Sequence, residues 1–184
     1  MAAVAVQSRL SLRDAATPGS VEGSFTLQGK GGPFPIGEAT SLEKAQSSVS
    51  FPLFLPSSEE FEGTLSRVWV TTFQGDETPQ KAALEFKTDA GTIVVIEQLR
   101  EFESPERHFQ QVVQDGISTA RVEEIDGAPA LVIQADTDAD KNNPAYVEIV
   151  RDGVDINIYS DSVEAPTLVQ LARTMTAGSV PVLR

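Results

Sequence analysis

The stretch from Ala145 to Met175 (AYVEIVRDGVDINIYSDSVEAPTLVQLARTM) constrains the fold more than any other part of the chain. Its second apolar run alternates, with Val154, Ile156 and Ile158 set against Asp155, Asn157 and Tyr159. Such alternation predicts a strand with one face on a core and the other in water. Tyr146, Ile149 and Val150 supply the run before it, and Asp152-Gly153 lies between the two. Both turn residues tolerate positive φ, so the pair marks a tight hairpin. Ser162 or Asp161 then offers a helix cap, with Glu164 and Pro166 in the first turn. Leu168, Leu171, Ala172 and Met175 follow at helical spacing, and Gly178 and Pro181 close the helix. A hairpin followed by a helix with one narrow apolar stripe must bury both against a larger sheet.

The rest of the chain supplies that sheet. Thr40 or Ser41 caps a short helix carrying Leu42, Ala45 and Val49. Phe51 to Pro56 (FPLFLP) is extended, and its two prolines place it at an edge, since proline cannot donate to a ladder. Residues 65–73 form a strand with Val68 and Val70 opposed to Trp69. Residues 82–87 and 92–99 pair through Asp89-Ala90-Gly91, and the continuous run Ile93 to Ile96 belongs to a central strand buried on both faces. Ser104-Pro105-Glu106 opens a helix with Phe109, Val112, Val113 and Ile117 on one face. Residues 119–125 and 128–135 then make a hairpin through Asp126-Gly127. The expected fold is a single α+β domain, a mainly antiparallel twisted sheet of six to eight strands with two to three packed helices. Residues 1–40, rich in glycine and proline with short apolar patches, read as a linker-like segment, 41–178 as the sheet domain and 179–184 as a tail.

Composition narrows the function. The 27 acidic residues outnumber the 14 basic ones, for a net charge of -13. An acidic surface without a basic cluster repels nucleic acid and anionic lipid, both of which bind through phosphate neutralisation. The chain has no cysteine, which rules out thiol catalysis, disulfides and thiolate metal sites. No apolar run reaches the roughly 20 residues of a membrane helix, and Met1 to Arg9 lacks the basic and apolar regions of a signal peptide. Gly29 to Gly32 has no Walker-type ending, so it is no phosphate loop.

Residues 40 to 176 resemble the extracytoplasmic DUF4367-type domains of bacterial envelope proteins, often found C-terminal to an anti-sigma-factor membrane segment. The resemblance rests on Phe51 to Pro56, on the strand pair ending in Ile93 to Gln98, and on Ile125 to Val132. It extends to the hairpin at Asp152-Gly153 and the helix from Pro166 to Met175. The order of elements is also similar to the wider lipoprotein group with a Mog1/PsbP-like fold. The resemblance implies an exported, membrane-tethered sensing or binding domain and carries over no catalytic residues.

Three constellations are candidates for chemistry. Asp136, Asp138, Asp140 and Asn142 alternate as the oxygen ligands of a calcium loop do. Lys141 stands where the sharp turn needs glycine, however, and Glu148 comes one position late. The plainer reading is an acidic loop closed by Asn143-Pro144, and calcium, if bound, would bind weakly. His108, the one histidine, is expected on a solvated helix face beside Arg107, with no nucleophile elbow in the sequence. Glu97, Glu101, Glu103 and Glu106 form an acidic group read as a solvated face. Trp69, Phe73 and Phe86 are either core or an aromatic ligand patch, core being the default.

The expected function is a non-enzymatic binding or sensory domain, the extracytoplasmic part of a membrane-anchored envelope protein trimmed from a longer chain. It would take an envelope protein partner or a small ligand, and no nucleic acid, with the membrane reached only through an upstream anchor. A small hydrolase using His108 and a structural protein-interaction module are the alternatives.

Overall fold

A computed structural model describes residues 37–178, apart from 58, 74, 116–118 and 136–143. Ten strands and three helices are present among them, in the order β1 (Glu38–Thr40), α1 (Leu42–Ser48), β2 (Phe54–Pro56), β3 (Thr64–Thr71), β4 (Lys81–Thr88), β5 (Gly91–Leu99), α2 (Pro105–Gln114), β6 (Ala120–Ile125), β7 (Ala128–Ile133), β8 (Ala145–Arg151), β9 (Val154–Ser160), α3 (Ala165–Thr174) and β10 (Met175–Ala177). Eight strands make one open antiparallel sheet in the order β1-β3-β4-β5-β9-β8-β7-β6, and β2 and β10 pair as a separate ribbon. The α+β fold expected from the sequence is the observed one.

The sheet joins two meanders. The run β3-β4-β5 and the run β6-β7-β8-β9 meet where β5 pairs with β9, and α2 carries the chain from one to the far edge of the other. Both Asp-Gly turns have the aspartate at positive φ, 51° at Asp126 and 50° at Asp152, as a tight hairpin between twisted strands requires. Val94 and its neighbours Ile93 and Val95 are buried, so β5 is covered on both faces.

Cross-strand partners share a face, which divides the sheet cleanly. One face carries Val68, Leu84, Val95, Ile158, Val147 and Val132 in a single row. It packs against α1, α3 and the ribbon, with Ala45, Phe51, Leu53, Leu168, Leu171 and Met175 in one continuous core. On the second face, α2 sets Phe109 and Val112 against Leu131 and Ile133, while Trp69, Ala83 and Val94 form a smaller apolar cluster on the other meander.

Local details depart from expectation in three places. The third helix is preceded by Glu164 at its cap, with no side-chain cap bond, and neither Ser162 nor Asp161 caps it. Instead Ser160 Oγ accepts from the amides of Ser162 (3.2 Å) and Val163 (2.9 Å) and donates to Thr92 O (2.7 Å). The same helix stops at Thr174, because Met175 leaves it to pair with Pro56. For the same reason the segment from Phe51 to Pro56 borders no edge of the large sheet. Its strand β2 lies across the core as half of the ribbon. The large sheet also takes in Glu38–Thr40, paired with β3.

Candidate functional site

The centre of the second face is polar, and it is buried. One row of the sheet runs Trp69, Ala83, Ile96, Asn157, Glu148, Leu131, Val122. Apolar residues occupy its two ends, and Asn157 and Glu148 its middle. The flanking rows place Tyr159 beside Tyr146 and Gln98 beside Asp155. Glu148, Asp155 and Asn157 are all buried. Alternation in β9 predicts that Asp155 and Asn157 face water. Instead they sit between the Trp69 cluster and the α2 cluster, which close around them.

Their bonding follows from strand geometry. Tyr146 and Glu148 lie two apart on β8 and so point the same way, and the Tyr146 hydroxyl is 2.5 Å from Glu148 Oε2. The same hydroxyl is 2.7 Å from Asn157 Oδ1. A phenol has one proton, and the carboxylate is the stronger acceptor. With Oδ1 toward the hydroxyl, Asn157 Nδ2 has no partner among the described residues. Turned by half a rotation, the amide donates to Tyr146, and its oxygen becomes the open atom. Asp155 Oδ2 accepts from Gln98 Nε2 (3.1 Å) and Arg100 Nη1 (3.4 Å). Its Oδ1 has no partner among the described residues, although the side chain is wholly buried.

Burial holds the Tyr146 hydroxyl well above the usual phenol value, and the adjacent Glu148 charge pushes the same way. Tyr159 is raised for the same two reasons, burial first. The two rings are 4.9 Å apart. Both phenols therefore stay protonated across the physiological range, which suits hydrogen-bond donors and excludes a phenolate nucleophile or base.

His108 belongs to this region. Its Nε2 lies 3.7 Å from Glu148 Oε1, and its side chain is only 23% exposed. The ring also approaches Phe102 (5.2 Å) and Phe109 (5.7 Å). The expectation of a solvated helix residue is thus corrected. His108 stands one turn before Val112, whose side chain is buried under α2, and residues four apart share a helix face. That spacing was the available signal.

Glu97 is a second correction. Glu101, Glu103 and Glu106 are exposed, but Glu97 is 0% exposed and lies on the opposite, apolar face of the sheet. It continues the parity of Ile93 and Val95, so the alternation of β5 carries it inward. Its Oε2 accepts from the Phe54 amide at 2.8 Å. The aromatic residues do not form one patch either. Trp69 is buried on the second face, Phe86 on the first against Phe61, and Phe73 is exposed under Lys81 Nζ at 5.4 Å.

The calcium candidates Asp136, Asp138, Asp140 and Asn142 lie outside the described residues. Among the described residues no group of three or more acidic or histidine side chains is arranged to hold a metal ion, and no helix is long and apolar enough to cross a membrane. No protein-family model matches the chain, and no curated protein or solved structure matches it.

Proposed function

We propose that this chain is a non-enzymatic binding or sensory domain of an extracytoplasmic envelope protein, with the polar centre of the second sheet face as its binding site. The observation that carries the reading is Asp155 Oδ1, a wholly buried carboxylate oxygen without a partner among the described residues. Leaving such an atom bare costs about 1–3 kcal/mol. A small ligand presenting an ammonium or amide N–H satisfies it, and the open amide atom of Asn157, two residues along the same strand, stands on the same face to engage it further. The strand that carries Asp155 is paired on both sides, so the backbone fixes where these side chains stand. Export is supported by the sequence resemblance, the absence of cysteine and the linker-like first 40 residues.

Two measurements test this. Titration of the purified chain with small organic cations and amides (ethylammonium, arginine, spermidine, acetamide), followed by melting temperature, should yield a stabilising probe whose effect Asp155→Asn removes. If every probe is inert and Asp155→Asn is at least as stable as the parent, the cluster is structural and the site is lost. Fractionation of source cells should recover the native chain with the envelope, and recovery from the cytosol would sink the exported half of the reading.

A second reading, a small hydrolase, is supported by the 3.7 Å approach of His108 Nε2 to Glu148 Oε1, the residue types that a catalytic triad uses as base and orienting carboxylate. Under it, His108→Ala abolishes turnover of an ester or amide substrate. Under the binding reading, His108→Ala leaves no turnover to abolish.

A further inference from the structure

The ribbon of β2 and β10 is held to the rest of the molecule by few polar ties. Within the ribbon, Thr176 pairs with Leu55 and Ala177 with Phe54, and Gly178 N donates to Leu53 O at 2.6 Å. Toward the sheet, the Phe54 amide donates to Glu97 Oε2 at 2.8 Å, and Arg151 Nη1 donates to Met175 O at 2.7 Å. Glu97 is the buried acid of a cross-strand row that runs Glu38, Val70, Ala82, Glu97, Ile156, Ile149, Ala130 and Glu123, with Glu38 exposed and Glu123 half-buried at its two ends. Its other oxygen, Oε1, has no partner among the described residues.

The surroundings offer little to balance a charge. From β4 the neighbour in register is Ala82, from β9 Ile156, and the ribbon contributes the Phe54 amide. Glu43 and Lys44 of α1 and Arg173 of α3 are exposed, and Arg151 is engaged with Asp126 at 2.8 Å as well as with the ribbon carbonyl. An ionised carboxylate in such a site gains water only if the ribbon lifts, while a neutral carboxyl accepts the Phe54 bond without that penalty.

We propose that Glu97 is a proton-operated latch, holding the β2–β10 ribbon on the sheet when neutral and loosening it when ionised. Burial raises the Glu97 carboxyl to about 8, with the Phe54 amide pulling the other way, so the switch lies in the physiological range. With the ribbon lifted and Glu97 solvated, the group returns toward 4.5. The opening equilibrium then grows by up to about tenfold per pH unit between these limits and levels off above the upper one.

Hydrogen exchange on the full chain tests this, with rates corrected for intrinsic pH dependence. Peptides covering 51–57 and 175–178 should lose protection progressively from pH 5.5 to 8 and then plateau, while β8 and β9 stay protected. In Glu97→Gln, the neutral isostere, ribbon protection should be flat with pH. The latch is overturned by ribbon protection that ignores pH in the parent, by an unchanged pH slope in Glu97→Gln, or by equal loss across β8 and β9. Should Glu97→Gln fail to fold, the parent's own pattern decides, since only a latch confines the loss to the ribbon.

Discussion

Tyr146 donates its hydroxyl proton to Glu148, 2.5 Å away and two residues along the same strand, in the middle of a sheet face that the sequence assigns to water. That bond joins α2 to β9, because Glu148 also faces His108 while Tyr146 also meets Asn157. The polar centre is therefore a connected network, in which removal of one member strands the others.

Tyr146→Phe should destabilise the chain by about 1–3 kcal/mol, since it keeps the ring and removes the shared hydrogen bonds of two buried side chains. Urea denaturation measures this directly. Combined with Glu148→Gln, the loss should fall well short of the sum of the two single effects, as for groups in direct contact. Additive losses would show that the 2.5 Å approach carries no coupling.

Ser160→Ala should cost about 1–3 kcal/mol, although the side chain removed is small. The hydroxyl serves Thr92 O and two amides, and the Val163 bond is buried. Ser162→Ala should be nearly neutral by comparison, because Ser162 is exposed and caps nothing. Equal losses in the two variants would return the capping role to Ser162.

Glycine is required differently at two turns. Gly91 has φ of 146°, and a Cβ there would collide with Ser162 Oγ and lie 2.8 Å from Ser162 Cβ. Gly153 has φ of 78° with open space around it. Gly153→Ala should therefore cost about 1 kcal/mol, the backbone strain alone, and Gly91→Ala distinctly more, through the added clash. Thermal denaturation of both variants gives the ranking.

The buried carboxyl sets a pH dependence on the whole fold. Glu97 binds its proton up to about pH 8 in the folded chain but only to about 4.5 when unfolded. Between these values the folded state holds more protons, so its stability falls as pH rises, and the fall ends near the upper value. Glu97→Gln removes that contribution. The stability of Glu97→Gln relative to the parent should rise between pH 5 and 8 by roughly 3–4 kcal/mol. Urea midpoints at four pH values give the difference, and a constant offset would mean that Glu97 does not titrate within the fold.

Local sequence signals did much of the architectural work. Ser41 and Ser104 accept from the amides three residues on, as helix caps do, and the Asp-Gly pairs turn their hairpins. The parity of Val154, Ile156 and Ile158 names the core-facing side of β9. These are short-range consequences of backbone sterics and period, and a single chain segment suffices to express them.

The identity of the site needed more than one segment. Alternation separates the two faces of a strand, but it is silent on whether a helix and a second apolar cluster will enclose the polar one. Glu148, Asp155 and Asn157 are buried because β5 pairs with β9 and α2 crosses to the far edge. Met175 ends its helix because β2 waits across the core to pair with it. The sequence by itself determined the caps, turns and strand parities, since those depend on neighbours along the chain. Only the tertiary structure decided which polar side chains lost their water, since desolvation depends on partners distant in sequence, 57 residues apart for Gln98 and Asp155 and 68 for Thr92 and Ser160.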